Sequence, residues 1–267
     1  RAVTNYNATI GPHNGGSKNP NNPSLVRGQY DYWHWGPDEA LDVAGGKAYA
    51  ATSISNSFKD VEGWLSGTGN GSGLRTWVAP YFNATREDSY DIQNQLSVKI
   101  TGDQKLTPFP HWTLSTQTAG KRYPCLSEPV SDWFVGGLVA QSLEPWHPPG
   151  VHTSQTMHNA VDFYYNLGAL INIYNHTLTL TNGGGGDAGT LVFDYVTYGL
   201  NTNLHPRLWS ANGVGVYQWW LQRSNAQISV SYTVNGSQSV TTIGVKGATH
   251  TNTTVEILLP PGSNSFL

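Results

Sequence analysis

The stretch that most constrains the fold covers residues 154–177, which read as a helix followed at once by a strand. Its helical part carries apolar residues at helical spacing: Met157, Val161, Tyr164 and Tyr165. Ser154 is the expected N-cap, and Gly168 stands where a left-handed residue would end the helix. Residues 169–174 are short, mostly apolar and typical of a strand covered on both faces. A helix that passes directly into a buried strand predicts an α/β layer.

Two histidines fall just after predicted strands. His176 follows the strand at 169–174, and His13 follows a first strand that ends near Ile10. The carboxyl ends of parallel strands are where side chains converge on a ligand, so His176 is the first candidate for chemistry. His13 is flanked by glycines, which let the backbone approach a metal or ligand closely; a simple turn explains the same residues equally well.

The rest of the chain alternates helical and extended patterns. Helices are predicted near residues 46–65, 86–96, 188–198 and 211–223, and strands at 74–82, 97–101 and 125–130, with a loop around His111 and Trp112. This alternation between residues 6 and 224 predicts βα units with parallel strands. After Asn225 the pattern predicts antiparallel strands at 228–234, 240–246 and 255–259, with a turn at Asn235 and Gly236. We therefore place a domain boundary near Asn225.

Composition narrows the class of protein. Only 12% of the residues are charged and the net charge is -3, which argues against a nucleic-acid partner. No apolar stretch is long enough to span a bilayer. Ten Trp and fourteen Tyr in a weakly charged, polar chain are typical of secreted proteins that handle carbohydrate, so we expect an extracellular or cell-surface protein. Sequons that indicate a glycoprotein occur at Asn7, Asn70, Asn83, Asn175, Asn235 and Asn252.

An aromatic cluster at residues 30–39 includes Trp33, His34 and Trp35. Such a cluster suits a sugar site, because pyranose rings present apolar faces to aromatic rings while their hydroxyls need polar partners. An aromatic plug packed under a loop is an equally good explanation.

The series of strand ends resembles the later blocks of the polysaccharide deacetylase family of carbohydrate esterases. The matching residues, in chain order, are His13, then 75–81 (RTWVAPY), then Asp132 and Trp133, then 173–176 (IYNH). The resemblance covers residues 6–224 and implies a distorted (β/α)7 or (β/α)8 barrel. In that family a metal-bound water, usually on zinc, attacks an acetyl carbonyl. The expected architecture is therefore a partial barrel over 1–224, without its first strand, plus a small antiparallel β unit over 225–267.

The resemblance also implies roles for single residues. His176 resembles the general acid, Asp132 the carboxylate beside it, and Arg75 the arginine that tethers the catalytic base. Tyr81 belongs to the block that helps to form the oxyanion hole. His13 resembles a zinc ligand, with His34 the nearest histidine to join it. Sugar contacts are assigned to four tryptophans: Trp33, Trp35, Trp77 and Trp133.

Two positions depart from the family pattern. The aspartate pair expected one strand before His13 would lie upstream of residue 1, and the second histidine ligand is replaced by Ser17. Because residue 1 is not methionine, we expect the chain to be part of a longer or processed product. We predict that this polypeptide alone carries no stoichiometric zinc and releases no acetate.

Two further classes of function compete with an esterase. A non-catalytic carbohydrate-binding or surface-structural protein on the same scaffold would keep the aromatic residues and lose the metal. A glycosidase that uses Asp38 and Glu39 is disfavoured, because adjacent residues rarely place two carboxyl groups about 5 to 9 Å apart in one site. The sequence predicts no assembly state.

Overall fold

The computed structural model describes residues 9–13, 43–66, 74–78, 87–102, 107–129, 153–172, 188–236 and 238–247. The chain divides into two compact units, Arg1–Val214 and Gly215–Leu267. The boundary predicted near Asn225, between independently folding domains, stays a prediction.

The main sheet of the first unit combines parallel and antiparallel pairing. Its strands are β1 (Ile100–Thr101), β2 (His111–Leu114) and β3 (Arg122–Ser127), in the order β1-β3-β2. β1 runs parallel to β3, and β2 runs antiparallel to β3. Thr76 adds a parallel bridge to Ile100 on the other side of β1. Residues 74–78, β1 and β3 therefore run in one direction and end at the same edge, which we call the carboxyl edge.

Helix α2 (Glu87–Gln95) connects residues 74–78 to β1, and helix α1 (Val43–Ser66) precedes them. This is the strand–helix–strand order that parallel neighbours require. α1 buries Ile54 and Phe58, which lie four residues apart on one face of the helix. The buried side chains of the two helices and the sheet form one core: Ile54, Phe58, Trp77, Ile92, Val98 and Cys125.

Helices α3 (Ser154–Leu167) and α4 (Ala188–Gly199) pack on each other around a second core of Met157, Ala160, Val161 and Tyr195. Gly168 ends α3 in the left-handed conformation, with φ 68°, as predicted. The predicted N-cap was wrong by one residue. The side chain of Thr153, rather than that of Ser154, accepts a hydrogen bond from the Thr156 backbone N–H. The Thr156 hydroxyl in turn accepts one from the Thr153 backbone N–H, and the two bonds form a capping box.

Two local predictions fail in the first unit. Residues 169–172 form no strand, because their polar groups bond to loops: the Leu170 N–H donates to the Pro108 carbonyl at 3.0 Å. His111 and Trp112 were expected in a loop but lie in β2. In the described ranges the sheet does not close on itself, so the mixed α/β class is confirmed and the barrel stays a prediction.

The second unit contains a regular β-hairpin. Helix α5 (Gly213–Asn225) leads into β4 (Gln227–Asn235) and β5 (Gln238–Lys246), which pair antiparallel from Gln227↔Lys246 to Asn235↔Gln238. Gly236, with φ 62°, supplies the turn conformation that a side chain would strain. The predicted hairpin is confirmed, and the third strand predicted at 255–259 lies outside the described residues. One face of β4 is apolar and exposed, at Ile228, Val230, Tyr232 and Val234.

Among the described helices, none has both the length and the apolar character needed to cross a membrane.

Candidate functional site

His13 is held at the carboxyl edge by a contact far away in sequence. Its Nδ1 lies 2.8 Å from the carbonyl oxygen of Val78, the last described residue of the segment 74–78. A carbonyl oxygen only accepts, so Nδ1 donates, and in the neutral form of the ring the lone pair would lie on Nε2. Gly11 makes the approach possible, because a Cβ there would lie 2.1 Å from the Thr76 carbonyl oxygen.

This geometry suits a histidine ligand but does not complete a zinc site. Metal-binding histidines commonly donate one ring N–H to a carbonyl, which orients the other nitrogen toward the metal. Among the described residues no three His, Cys, Asp or Glu side chains come together. His34 lies outside the described ranges. Because protein zinc sites use at least three side-chain ligands, the described residues alone do not fit zinc.

Glu128 lies at the same edge, one residue beyond β3. Its backbone N–H donates to the Thr101 carbonyl at the end of β1, 2.6 Å away. Its Oε1 is buried and has no hydrogen-bond partner among the described residues. Burial raises the pKa of the Glu128 carboxyl from its ordinary 4.5 to about 8, so this group is mostly protonated at neutral pH.

Two other residues border Glu128. The Asn172 side-chain amide donates to the carbonyl oxygens of Glu128 and Pro129, both at 3.3 Å. Gly213 lies so close that a Cβ there would be 2.9 Å from Glu128 Oε2. The carboxyl edge therefore brings together His13 at one strand end and Glu128 with Asn172 at another. Sequence reasoning missed Glu128, because no motif marks a carboxyl whose burial depends on residues 44 and 85 positions away.

Arg75 turns its guanidinium toward the helices. Nε and Nη2 donate to the Glu62 carboxylate at 2.6 and 3.1 Å, and Nη1 donates to the Leu96 carbonyl at 2.7 Å. The guanidinium carbon also lies 4.9 Å from the centre of the Phe58 ring. Its predicted role, tethering a catalytic aspartate, stays a prediction.

Trp77 is 2% exposed and packs in the core beside Phe58 and Ile92. Its indole face is covered by side chains in this structure, and the sugar contact predicted for it stays untested. The other predicted site residues lie outside the described ranges: Trp33, His34, Trp35, Tyr81, Asp132, Trp133 and His176.

A second polar cluster joins α3, α4 and the loop that follows α4. His205 is buried, and its two ring nitrogens face the Asp162 carboxylate at 2.9 Å and the Tyr198 carbonyl at 3.1 Å. The Tyr198 hydroxyl donates to the same carboxylate at 3.0 Å, and burial, together with Asp162, raises the pKa of Tyr198. His158 stacks on the Tyr198 ring with a centroid distance of 3.7 Å.

This cluster joins helix α3 to helix α4. His158 Nε2 on α3 lies 3.0 Å from Asp194 Oδ2 on α4, although the two groups are not aligned for a hydrogen bond. Asp162 and Tyr198 sit one turn further along the same two helices. Each helix carries its two residues at i,i+4 spacing, His158 with Asp162 and Asp194 with Tyr198, and this spacing is visible in the sequence. The contact between the two pairs was not predicted.

Glu87 forms a third cluster at the start of α2. Tyr123, Ser115 and Lys121 donate to its carboxylate, at 2.6 Å for the Tyr123 hydroxyl, and so does the Thr116 backbone. These bonds, the one from Tyr123 foremost, lower the pKa of Glu87 from 4.5 to about 2. The cluster ties the β2–β3 turn to α2 and keeps Glu87 ionised.

Comparison with known proteins gives no relatives: no protein-family model, curated protein or solved structure matches this chain.

Proposed function

We propose that this chain is an extracellular, carbohydrate-active protein that binds an acetylated polysaccharide at its carboxyl edge, on a scaffold of the polysaccharide deacetylase type. One observation carries the proposal: His13 lies at the end of the segment 74–78, and Glu128 lies at the end of the parallel strand β3. Parallel α/β sheets bind their ligands at this edge.

Chain connectivity gives further support. Tyr81 is three residues beyond Val78, Asp132 three beyond Pro129, and His176 four beyond Asn172. All three predicted residues lie outside the described ranges, so this support comes from their positions in the sequence alone.

The chemistry of the edge suits an acetylated sugar. A neutral carboxyl and an imidazole offer hydrogen bonds to the carbonyl oxygen of an acetyl group and to sugar hydroxyls, without introducing a strong charge. The low charge of the whole chain agrees with a neutral polymer as partner rather than with nucleic acid.

Deacetylation requires more than binding. A bound zinc would supply an activated water for attack on the acetyl carbonyl. Of the two histidines predicted to bind zinc, only His13 lies within the described ranges. We therefore expect the 267-residue chain to bind the polymer without hydrolysing it and to carry less than stoichiometric zinc.

The experiment compares acetylated chitooligosaccharide with the same oligomer after deacetylation, by calorimetric titration of the purified chain. Binding of the acetylated oligomer, weakened about tenfold or more by His176→Ala and left unchanged by the exposed control Lys59→Ala, supports the proposal. No binding of either oligomer, or equal binding by the parent and His176→Ala, contradicts it. Elemental analysis and an acetate-release assay run on the same samples. One zinc per chain with His176-dependent acetate release would show a working esterase and overturn the expected inactivity.

A further inference from the structure

Glu128 has a carboxyl oxygen that is buried without any hydrogen-bond partner in the described structure. Such an atom costs free energy, because it has lost its water without gaining a protein partner. Buried polar groups of this kind are expected to be satisfied by something that binds there, either a ligand or a water molecule. Glu128 as a residue stays partly exposed, although its Oε1 is itself buried.

Glu87 provides a comparison, because its surroundings stabilise the ionised form of a glutamate side chain. Glu87 is also buried, and donors from Ser115, Thr116, Lys121 and Tyr123 surround it. Neither an ion pair nor a side-chain hydrogen bond to the Glu128 carboxyl appears among the described residues. Burial without donors favours the neutral acid, and the raised pKa of Glu128, about 8, agrees with this. The two glutamates therefore differ in chemistry: Glu87 accepts hydrogen bonds, whereas Glu128 has a proton to donate.

The position of Glu128 is suited to a ligand. It follows β3 at the carboxyl edge, and its backbone is fixed from two sides by Thr101 and by the Asn172 side chain. Gly213 packs against the carboxyl so closely that a Cβ there would lie 2.9 Å from Oε2, which confines the side chain on that side. A fixed backbone and a carboxyl with a free oxygen are what a directional contact to a ligand requires.

We propose that Glu128 is a ligand-binding residue of the carboxyl edge and that, as a neutral carboxylic acid, it donates a hydrogen bond from its carboxyl O–H to an acceptor oxygen of the bound sugar, with an acetyl carbonyl as the preferred partner. This proposal rests on the proposed function, because it makes Glu128 one of the residues that contact the bound polysaccharide. No proton is transferred: the O–H bond of the acid stays intact and the ligand oxygen only accepts. Carboxylic acids held neutral by an apolar site perform this role in known enzymes.

The test follows ligand affinity against pH in three proteins: the parent, Glu128→Gln and Glu128→Ala. The parent should bind acetylated chitooligosaccharide with constant affinity up to about pH 7.5 and lose about tenfold per pH unit well above pH 8, where the acid ionises and its donor is lost. Glu128→Gln keeps a donor that does not titrate, so its affinity should stay flat over the same range. Glu128→Ala should bind about tenfold more weakly at pH 6.5. Asp60→Asn, an exposed carboxylate on α1, is the control and should follow the parent.

A second readout makes the outcome independent of ligand binding. Infrared difference spectra against pH should show a carboxylic-acid C=O band at pH 6.5 that disappears near pH 8 in the parent and is missing in Glu128→Gln. Absence of this band at pH 6.5 overturns the inference even if the ligand binds. An alkaline loss of affinity that persists in Glu128→Gln also overturns it, because a group other than Glu128 would then cause the pH dependence. If no variant binds the oligomer while the band is present, the proposed function and the ligand contact both fail, and the neutral acid stands as a structural feature.

Discussion

Replacing Glu128 by glutamine should change how the stability of the chain depends on pH. In the folded protein the pKa of Glu128 is raised from 4.5 to about 8, so between these values the folded state holds a proton that the unfolded state has released. The stabilising effect of this proton is complete below pH 4.5 and is lost as the pH rises toward 8. At about 1.4 kcal/mol per pKa unit, the full loss is about 5 kcal/mol, and about 3 kcal/mol of it falls between pH 5 and pH 7.5.

Urea unfolding followed by tryptophan fluorescence at pH 5, 6, 7 and 7.5 measures this effect. The free energy of unfolding of the parent, minus that of Glu128→Gln, should fall by about 3 kcal/mol across the series. Asp60→Asn, which removes an exposed carboxylate on α1, is the control and is subtracted from the parent in the same way. A parent-minus-Glu128→Gln difference that stays constant between pH 5 and 7.5 would show that Glu128 is ionised in the folded protein. That result would refute the reasoning for a neutral acid.

Two further predictions, the first with a matched control, test the packing of the first core and of the polar cluster between α3 and α4. Trp77→Ala should reduce the free energy of unfolding by about 3 to 5 kcal/mol, because Trp77 is 2% exposed and lies in the core. The control Trp64→Ala, at a position that is 75% exposed, should change it by less than about 0.5 kcal/mol. Equal effects in urea unfolding would contradict the placement of Trp77. Asp162→Ala should cost only about 1 to 2 kcal/mol, because the Asp162 side chain is 46% exposed and water replaces part of its bonds to His205 and Tyr198. A loss above about 4 kcal/mol in the same assay would show that the cluster is far more shielded than its exposure indicates.

The elements that the sequence predicted well depend on local chemistry. Helix α3 combines apolar residues at helical spacing with a glycine at its end, and Gly168 adopts the left-handed conformation that this position required. The hairpin of β4 and β5 follows from two alternating segments joined at Gly236. In both cases the residues that decide the structure lie within a few positions of each other, so one sequence is sufficient to find them.

The failed predictions depend on partners far along the chain. Residues 169–172 have the composition of a buried strand, but the Leu170 N–H donates to the Pro108 carbonyl and the Ala169 N–H donates to the Tyr164 carbonyl at the end of α3. His111 and Trp112 lie in a strand because β3 pairs with them, although the segment has only four residues. The chemistry of Glu128 was equally hidden, since its pKa is set by burial against distant residues. The site residues were predicted because they follow predicted strands. The structure places His13 beside Val78, at the end of the segment 74–78.

The central claim, that the carboxyl edge binds an acetylated sugar, is tested most directly by mapping backbone amide NMR shifts during titration with acetylated chitooligosaccharide. The largest shifts should fall on residues of the carboxyl edge, namely His13, Val78, Thr101, Glu128 and Asn172, while the amide shifts of the hairpin β4–β5 stay unchanged. Shifts confined to the exposed apolar face of the hairpin, around Val230 and Tyr232, or no shifts at saturating oligosaccharide, would contradict it.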